Sequence, residues 1–223
     1  MPRLPRHHPG QDVTITIADI AGLHWMIREG TTDWNTVNAC SAQDEYRLGS
    51  EQVAGKVVFD IGAHIGGVGV WLASRGAFVV FVEPVPANAE QIRQNLKLNG
   101  LLGMVVEAAL GTNHVALGPE GDEHEFIANP WPGARDVPCI ETTFGRLVDT
   151  FGAPDIVKLD CEGGEWGAFL DPAMGPVRLI VGEYHDDPHQ GGYVGADIEE
   201  LLPNHTVEFE GAPTLGAFRA TLR

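Results

Sequence analysis

The stretch from Val57 to Glu83 constrains the fold of this chain more than any other part of the sequence. An apolar run that ends in Asp60 leads into a glycine-rich turn, and a segment with helical periodicity follows as far as Arg75. A second apolar run then ends in Glu83. Because strand, glycine turn, helix and strand follow in this order, the stretch predicts a βαβ unit with a nucleotide-binding turn.

The two acidic residues and the turn between them indicate which nucleotide this unit would bind. Glu83 lies about twenty residues beyond the turn, where a carboxylate can accept hydrogen bonds from ribose hydroxyls. His64 occupies the position of the second glycine of a dinucleotide-binding turn, and Asp60 at its mouth would repel a pyrophosphate. A cofactor with a ribose, no phosphate and a cationic end fits better, and S-adenosylmethionine (SAM) has these properties.

Two longer motifs resemble those of a known family. Residues 60–66 together with residues 83–84 resemble motifs I and II of class I SAM-dependent methyltransferases. Residues 155–165, DIVKLDCEGGE, resemble the K-I-D-V-E-G-A-E signature of the FkbM-type family within that class. The combination of these motifs is specific, whereas each of them alone would be weak.

Two shorter similarities extend this resemblance. Residues 28–33, REGTTD, are similar to an R-x-G-T-x-D motif of the same family, and residues 109–111 to its A-L-G after the third strand. The similarity runs from about residue 27 to residue 185, which is most of the chain. His64 departs from the family pattern, which more often has Asn at this position.

The apolar pattern and the resemblance together predict the architecture. Apolar runs predict five parallel strands, and residues 206–210 and 215–222 predict a terminal antiparallel pair. They match the α/β, Rossmann-like class I methyltransferase fold, whose seven-stranded, mostly parallel sheet has the order 3-2-1-4-5-7-6 and helices on both faces. We expect residues 1–50 to form an N-terminal extension that covers the cofactor cleft, and residues 51–223 to form the methyltransferase domain.

Local signals predict several further elements. Residues 12–18 and 24–28 predict a hairpin, and Thr32 or Asp33 is expected to cap a helix from Trp34. Residues 115–138 predict a β-hairpin excursion or a substrate loop, with a rigid turn at 129–133. The remaining helices are expected at residues 87–98, 143–151, 163–170 and 193–202. Trp25, Trp34 and Tyr46 could supply apolar surface for the N-terminal cover, but we expect them to be core residues.

Composition limits the partners. The chain has 31 acidic and 14 basic residues, a net charge of −17, which is too few cations for a large basic face and argues against a nucleic-acid acceptor. Three widely separated cysteines predict no disulfide framework, so we expect a reducing compartment, the cytoplasm. Apolar runs of strand length predict no membrane span, and the first ten residues predict no secretory signal.

The expected SAM site lies at the ends of the first three strands. Asp60 is expected to bind the methionine ammonium and Glu83 the ribose, although both acids could instead be helix-terminal charges or solvated loop ends. The small residues near Glu107 would leave room for the adenine, or could form an ordinary strand end. The predicted cofactor-binding residues are Asp60, Gly62, Ala63, His64, Gly66, Glu83, Pro84, Glu107, Ala108, Ala109 and Asp160.

Candidate catalytic groups follow the fourth and fifth strands. Asp160 and Glu162 are candidate bases, and His185 is favoured because an imidazole can accept a hydroxyl proton near its ordinary pKa. Lys158 is expected to pair with Glu183. Glu165 belongs to the same cluster of candidate bases, or alternatively caps the following helix. A metal site of His185 and His189 with Asp160 or Glu162 is an alternative, but the spacing matches no closed site and no metal is assigned.

These observations predict a SAM-dependent methyltransferase that methylates a hydroxyl of a small molecule or a sugar. Positioning of the reactants can supply most of the rate of such a transfer. An N-methyltransferase and a non-catalytic SAM-binding module remain alternatives, and a nicotinamide oxidoreductase is disfavoured by Asp60 and His64 in the turn.

Overall fold

A computed structural model describes residues 14–112, 114–117, 124–126, 135–185, 193–212 and 215–223. The predicted turn at residues 129–133 and the predicted ligand His189 lie outside these ranges. No helix in the described part of the chain is long and apolar enough to cross a lipid bilayer.

The strands and helices follow one another from the N-terminal hairpin to the terminal antiparallel pair. The strands are β1 (Ile15–Ile20), β2 (Leu23–Arg28), β3 (Val57–Ile61), β4 (Phe78–Val82), β5 (Met104–Val106), β6 (Ala109–Leu110), β7 (His114–Leu117), β8 (His124–Phe126), β9 (Arg135–Pro138), β10 (Glu141–Thr142), β11 (Ile156–Leu159), β12 (Leu179–His185), β13 (His205–Ala212) and β14 (Leu215–Leu222). The helices are α1 (Asp33–Val37), α2 (Gly69–Ser74), α3 (Pro86–Leu98), α4 (Phe144–Phe151), α5 (Glu165–Phe169) and α6 (Asp197–Leu201). A π-helical turn (Asn38–Ala42) follows α1, and a 3-10 turn (Pro172–Met174) follows α5.

A seven-stranded sheet forms the centre of the molecule, in the order β5-β4-β3-β11-β12-β14-β13. The first five strands run parallel, and β14 is antiparallel to both β12 and β13. This arrangement is the predicted order 3-2-1-4-5-7-6, so the sheet prediction is confirmed. The interior strands are nearly continuous apolar runs because helices cover both of their faces.

Alternate residues of the central strands build two separate cores. Val58 of β3 belongs to one core, with α2, α3 and the N-terminal hairpin, where Trp25 is buried. Phe59 belongs to the opposite core, with α4 and α5, where Trp166 and Phe169 are buried. The alternation arises because successive strand side chains point to opposite faces.

The described residues also form three smaller sheets. β1 and β2 form the predicted antiparallel hairpin, and β7 pairs with β8 and β9 in the predicted excursion. The third predicted strand is shorter than expected, because it ends at Val106 and residues 109–110 pair with β10 instead.

Of the two predicted helix caps, the one at Thr143 is confirmed and the one at Thr32 or Asp33 is wrong. Thr143 caps α4 by accepting a hydrogen bond from the Arg146 amide, as predicted. Thr32 precedes α1 but makes no side-chain capping bond. The Asp33 carboxylate does not cap that helix either, because it accepts hydrogen bonds from Arg28.

The aromatic residues of the N-terminal segment divide between core and surface. Trp25 and Tyr46 are buried as predicted, whereas Trp34 is 51% exposed and its prediction as a core residue is wrong. α1 turns Asp33 and Val37, one turn apart, toward the protein, so the side chain of Trp34 lies beside the buried face.

Candidate active site

The turn after β3 brings the backbones of two strands into direct contact. Gly62 has φ +73°, and a Cβ atom at this position would lie 1.7 Å from the carbonyl oxygen of Asp160. Only glycine allows this approach, and it places the end of β11 beside the turn.

The second predicted glycine of the turn has a different environment. A Cβ atom on Gly66 would lie 2.8 Å from Cγ2 of Val70 and 3.6 Å from Ile92, so Gly66 allows the turn to pack on α2 and α3. The next residue, Gly67, lines the cleft described below. The structure therefore places Gly66 in the core rather than at the cleft surface.

An open cleft lies over the carboxyl ends of β3 and β11. Five of the predicted site residues line it, namely Asp60, Gly62, Ala63, His64 and Asp160. Residues of α1, the π-helical turn and the segment after it form its other side, among them Thr36, Cys40 and Tyr46. The N-terminal segment therefore lies against the site that the βαβ unit builds.

Lys158 lies at the bottom of this cleft. Its Nζ atom is 3.4 Å from Asp160 Oδ2 and 3.8 Å from Asp60 Oδ1. The predicted pairing of Lys158 with Glu183 is wrong, because Asp60 and Asp160 are the carboxylates within 4 Å of the ammonium among the described residues. The same ion pairs raise the pKa of Lys158 against the opposing effect of burial.

Asp60 carries the buried carboxylate of the turn. Its Oδ2 atom accepts a hydrogen bond from the Gly69 amide at the start of α2. Its Oδ1 atom is buried and accepts no hydrogen bond from the described residues. Burial raises the pKa of Asp60, and the nearby charge of Lys158 opposes this effect.

Glu83 directly follows β4 and is fully buried. Its carboxylate accepts hydrogen bonds from the backbone amides of His64 (2.8 Å) and Val85 (3.0 Å), and from Asn88 Nδ2 (3.2 Å). Glu83 therefore holds the turn after β3 against the loop after β4. The sequence predicted only a ribose contact for Glu83 and not this structural role.

A second, more enclosed pocket meets the cleft at Gly62. Its lining is mostly apolar and includes the predicted residues Pro84, Ala108 and Ala109, together with Cys161. Glu107 does not line this pocket, because the chain leaves β5 at Val106 and its carboxylate pairs with Arg93 of α3 at 2.6 Å. The predicted adenine-binding segment is thus divided between the pocket and the surface of α3.

His185 is the last residue of β12 rather than a loop residue as predicted. Its Nδ1 atom lies 3.2 Å from Glu165 Oε1, and its Nε2 atom lies 3.3 Å from Glu162 Oε2. Burial would lower the pKa of this imidazole, but the hydrogen bond and charge of Glu165, together with Glu162 and Asp160, raise it to about 10. A raised pKa favours the charged imidazole at pH 7, a form that does not by itself accept the hydroxyl proton.

The carboxylates around His185 differ in environment. Burial raises the pKa of Glu162 to about 8, and burial and the charge of Asp160 raise that of Glu183 to about 7. Glu165 is fully buried and accepts hydrogen bonds from the amides of Cys161 and Gly163, so it holds the loop before α5 and does not cap the helix. The acids near His185 therefore differ: burial raises the pKa of Glu162 and Glu183, whereas Glu165 is held by backbone hydrogen bonds.

One group of side chains in this site could hold a metal ion. Donor atoms of Asp160, Glu183 and His185 lie within 4.8 Å of one another, and no other such group occurs among the described residues. It shares His185 and Asp160 with the alternative considered from the sequence, whose second imidazole, His189, lies outside the described ranges.

Tyr46 is a site residue that sequence reasoning missed. Its hydroxyl donates a hydrogen bond of 2.9 Å to Asp160 Oδ2, and its ring lies 5.6 Å from the Lys158 ammonium. The sequence marks Tyr46 only as an aromatic residue of the N-terminal segment. A contact between residues 114 positions apart leaves no local signal in the sequence.

Solved structures share this fold. A precorrin-6y C5,15-methyltransferase from Geobacter metallireducens is 15% identical, with a TM-score of 0.50 over 81% of this chain and 87% of that one. TYW2 from P. horikoshii, solved with MeSAdo, is 13% identical, with a TM-score of 0.54 over 95% and 72% of the two chains. At these identities the similarities establish the Rossmann-like methyltransferase fold alone.

A third structure covers nearly all of this chain but only part of its own. It is a T. thermophilus 16S rRNA methyltransferase solved with AdoMet and guanosine, 19% identical, with a TM-score of 0.52 over 97% of this chain and 52% of that one. The chain matches none of the curated proteins.

A family model described as the methyltransferase FkbM domain matches residues 60–209. The match begins at Asp60 and includes Asp160 and His185. Because the matched region spans more than half of the sequence, the chain belongs to the FkbM family of SAM-dependent methyltransferases.

Proposed function

We propose that this methyltransferase transfers the methyl group of SAM to a hydroxyl oxygen of a small molecule or a sugar. The observation that carries the proposal is the meeting of two different pockets at Gly62. One is lined mostly by apolar and small residues, and the other by buried and half-buried carboxylates. An adenosine and a cationic methionine end need these two environments.

The residues present fit SAM. Asp60 Oδ1, buried and without a hydrogen-bond donor among the described residues, would accept from the methionine ammonium. Ala108 and Ala109 would flank the adenine. Glu83 lines neither pocket, and its hydrogen bond with the ribose is proposed from its place between β4 and Pro84, which does line the apolar pocket. SAM supplies an electrophilic methyl group on a positively charged sulfur, and the carboxylates of this cleft favour positive charge.

Three side chains would act on the acceptor hydroxyl. His185 and Glu162, 3.3 Å apart, form a pair that can share one proton between Nε2 and Oε2. Asp160, held by Lys158 and Tyr46, would fix the hydroxyl by accepting its hydrogen bond. Where Glu162 is ionised, above its pKa of about 8, its carboxylate beside the charged His185 would take the proton that the hydroxyl releases during transfer, a contribution of about 10²–10⁴ in rate.

The charge of the cleft supports a small, uncharged acceptor. Glu45, Asp60, Asp160 and Glu183 line it, and Lys158 is already bonded to two of them. A polyanion such as RNA would be repelled, whereas sugar hydroxyls can donate hydrogen bonds to carboxylates. The same carboxylates would also attract an amine, so N-methylation is the second candidate.

Calorimetry tests the cofactor. Titration with SAM and, separately, with NAD should show saturable binding of SAM and none of NAD. Asp60→Asn should weaken SAM binding, since the amide carries no charge to attract the ammonium. Tighter binding of NAD than of SAM would contradict the assignment.

The acceptor atom can be identified with SAM that carries a ¹³C-labelled methyl group. Matched acceptors would be offered, each sugar together with its amino-sugar counterpart, and the chemical shift of the product methyl distinguishes an ether from an amine. We expect methyl ethers. Methylation of only the amino sugars, or of RNA alone, would contradict the proposed acceptor, and SAM binding without turnover of any substrate would favour a non-catalytic module.

A further inference from the structure

Five polar residues form a closed ring between the N-terminal segment and the βαβ unit. They are Arg28, Asp33, His64, Glu83 and Asn88, and we call them the polar ring. Arg28 Nη2 donates to Asp33 Oδ1 (2.7 Å) and to Asn88 Oδ1 (2.8 Å), and Asn88 Nδ2 donates to Glu83 Oε1 (3.2 Å). Glu83 Oε2 accepts from the His64 amide (2.8 Å), and the His64 ring returns to Asp33, with Nε2 3.8 Å from Oδ1.

The ion pair within this ring is buried and bidentate. Asp33 is fully buried, and the Arg28 side chain is only 11% exposed. Arg28 Nε also donates to Asp33 Oδ2 at 2.9 Å, so the planar guanidinium and carboxylate hold each other in one orientation. Because the guanidinium is held in this way, the hydrogen bond from Arg28 Nη2 to Asn88 also fixes the position of the Asn88 side chain.

The turn residue in the ring has an uncommon backbone conformation. His64 has φ +51°, in the left-handed region that non-glycine residues seldom adopt. The backbone amide of His64 donates a hydrogen bond to Glu83, and its imidazole lies near Asp33. These two contacts support the left-handed conformation. The polar ring therefore supports both the shape of the turn after β3 and the orientation of the Glu83 carboxylate.

We infer that Arg28 and Asp33 are positioning residues for the SAM site, acting through Glu83. The inference rests on the proposed function, in which Glu83 accepts from the ribose. Both residues precede the matched family region, residues 60–209, so part of the cofactor site would lie outside that region. Cofactor affinity would depend on a segment that contributes no predicted contact to SAM itself.

A double-mutant cycle on SAM affinity tests this inference. Asp33→Asn keeps the shape of the side chain but breaks the ion pair, and it should weaken SAM binding about 5- to 100-fold. Glu83→Gln should weaken binding by a similar factor. Because Asp33 acts through Glu83, adding Asp33→Asn to Glu83→Gln should cause little further loss. Arg28→Lys should also weaken binding, since an ammonium cannot make the three directed bonds of the guanidinium.

Glu51→Gln provides the matched control. Glu51 lies directly after the N-terminal extension, its side chain is 17% exposed, and it binds Arg178, which precedes β12, and Arg219 of β14. Glu51→Gln should lower the melting temperature, as Asp33→Asn does, but leave the SAM affinity unchanged. The double variant Glu51→Gln/Glu83→Gln should bind SAM as weakly as Glu83→Gln alone. Should Asp33→Asn prove too unstable to assay, Arg28→Lys in the same cycle gives the same comparison.

Three results would overturn the inference. One is an unchanged SAM affinity in Asp33→Asn and Arg28→Lys while Glu83→Gln binds weakly. The second is that adding Asp33→Asn to Glu83→Gln weakens SAM binding by the full factor seen for Asp33→Asn alone. Asp33 would then affect SAM affinity independently of Glu83. If Glu83→Gln itself bound SAM normally, the ribose contact of the proposed function would fail first, and the inference with it.

Discussion

The ammonium of Lys158 donates a hydrogen bond of 2.7 Å to the carbonyl oxygen of Gly62. One lysine of β11 thereby joins the turn after β3 to the carboxylates of Asp60 and Asp160. The side chain is only 5% exposed, so these charges compensate one another away from water. Their balance should matter more for stability than a surface ion pair does.

Lys158→Met should lower the free energy of unfolding by about 3–5 kcal/mol, because it leaves buried carboxylates without their cation. Urea denaturation measures the change. Lys56→Met is the control, since the Lys56–Asp155 pair is partly exposed and should contribute about 0–1 kcal/mol. Equal losses in the two variants would contradict a special role for the buried lysine.

Gly62→Ala should prevent the strands from meeting correctly, because its Cβ atom would overlap the Asp160 carbonyl oxygen. We expect little folded protein or, where it folds, no measurable SAM binding. Gly55→Ala is matched to it, with φ +74° and open space around the added Cβ, and should cost only the backbone strain of about 1–2 kcal/mol. Circular dichroism and calorimetry on both variants decide the matter, and normal SAM binding by Gly62→Ala would contradict the described geometry.

His185→Ala and Glu162→Gln should each reduce turnover about 10²–10⁴-fold while SAM affinity stays close to that of the parent. If the two side chains share one proton, the double variant should be no slower than the slower single variant. His24→Ala, an exposed imidazole paired with Asp19 on the hairpin, should leave turnover unchanged. Multiplying losses in the double variant would show that the two residues act separately.

Asp155 should contribute a pH-dependent part of the stability. The hydrogen bond from Lys56 lowers the pKa of its carboxyl, and the bond from the Val57 amide adds to this effect. Since the folded pKa lies below the unfolded one, the contribution is present above about pH 4 and is lost as pH falls through the folded pKa. The destabilisation by Asp155→Asn, measured by urea denaturation, should therefore be largest near neutral pH and smaller in acid.

Asp149→Asn makes the same charge change on the exposed face of α4 and serves as the control for Asp155→Asn. Its effect on stability should be small at each pH. A destabilisation by Asp155→Asn that stays constant from pH 7 to acid would contradict the ion-pair explanation.

Local sequence signals predicted the elements whose cause is itself local. The glycine turn between two apolar runs predicted β3, α2 and β4, and Thr143 predicted the start of α4. The strand order followed from the family resemblance and the count of apolar runs. Asp60, Gly62 and Asp160 were correctly expected near one another, because the carboxyl ends of neighbouring parallel strands meet at one edge of the sheet.

Contacts between distant segments could not be predicted in the same way. Glu107 was expected beside the adenine but pairs with Arg93, and Lys158 was expected beside Glu183 but lies against Asp60 and Asp160. The strand position placed Lys158 at the site, whereas Glu107 follows the end of β5 and lies outside both pockets. The partner depended on side-chain direction and on which charges lay within reach.

The sequence by itself determined the βαβ unit, the family and the edge of the sheet where the cofactor site lies, because periodicity, glycine and strand-end acids act over a few residues. The tertiary structure alone decided that His185 lies among carboxylates that raise its pKa, and that Tyr46 reaches Asp160. It also closed the polar ring through Arg28 and Asp33. Such properties depend on desolvation and on distances between groups far apart in the chain, and these exist only once the chain has folded.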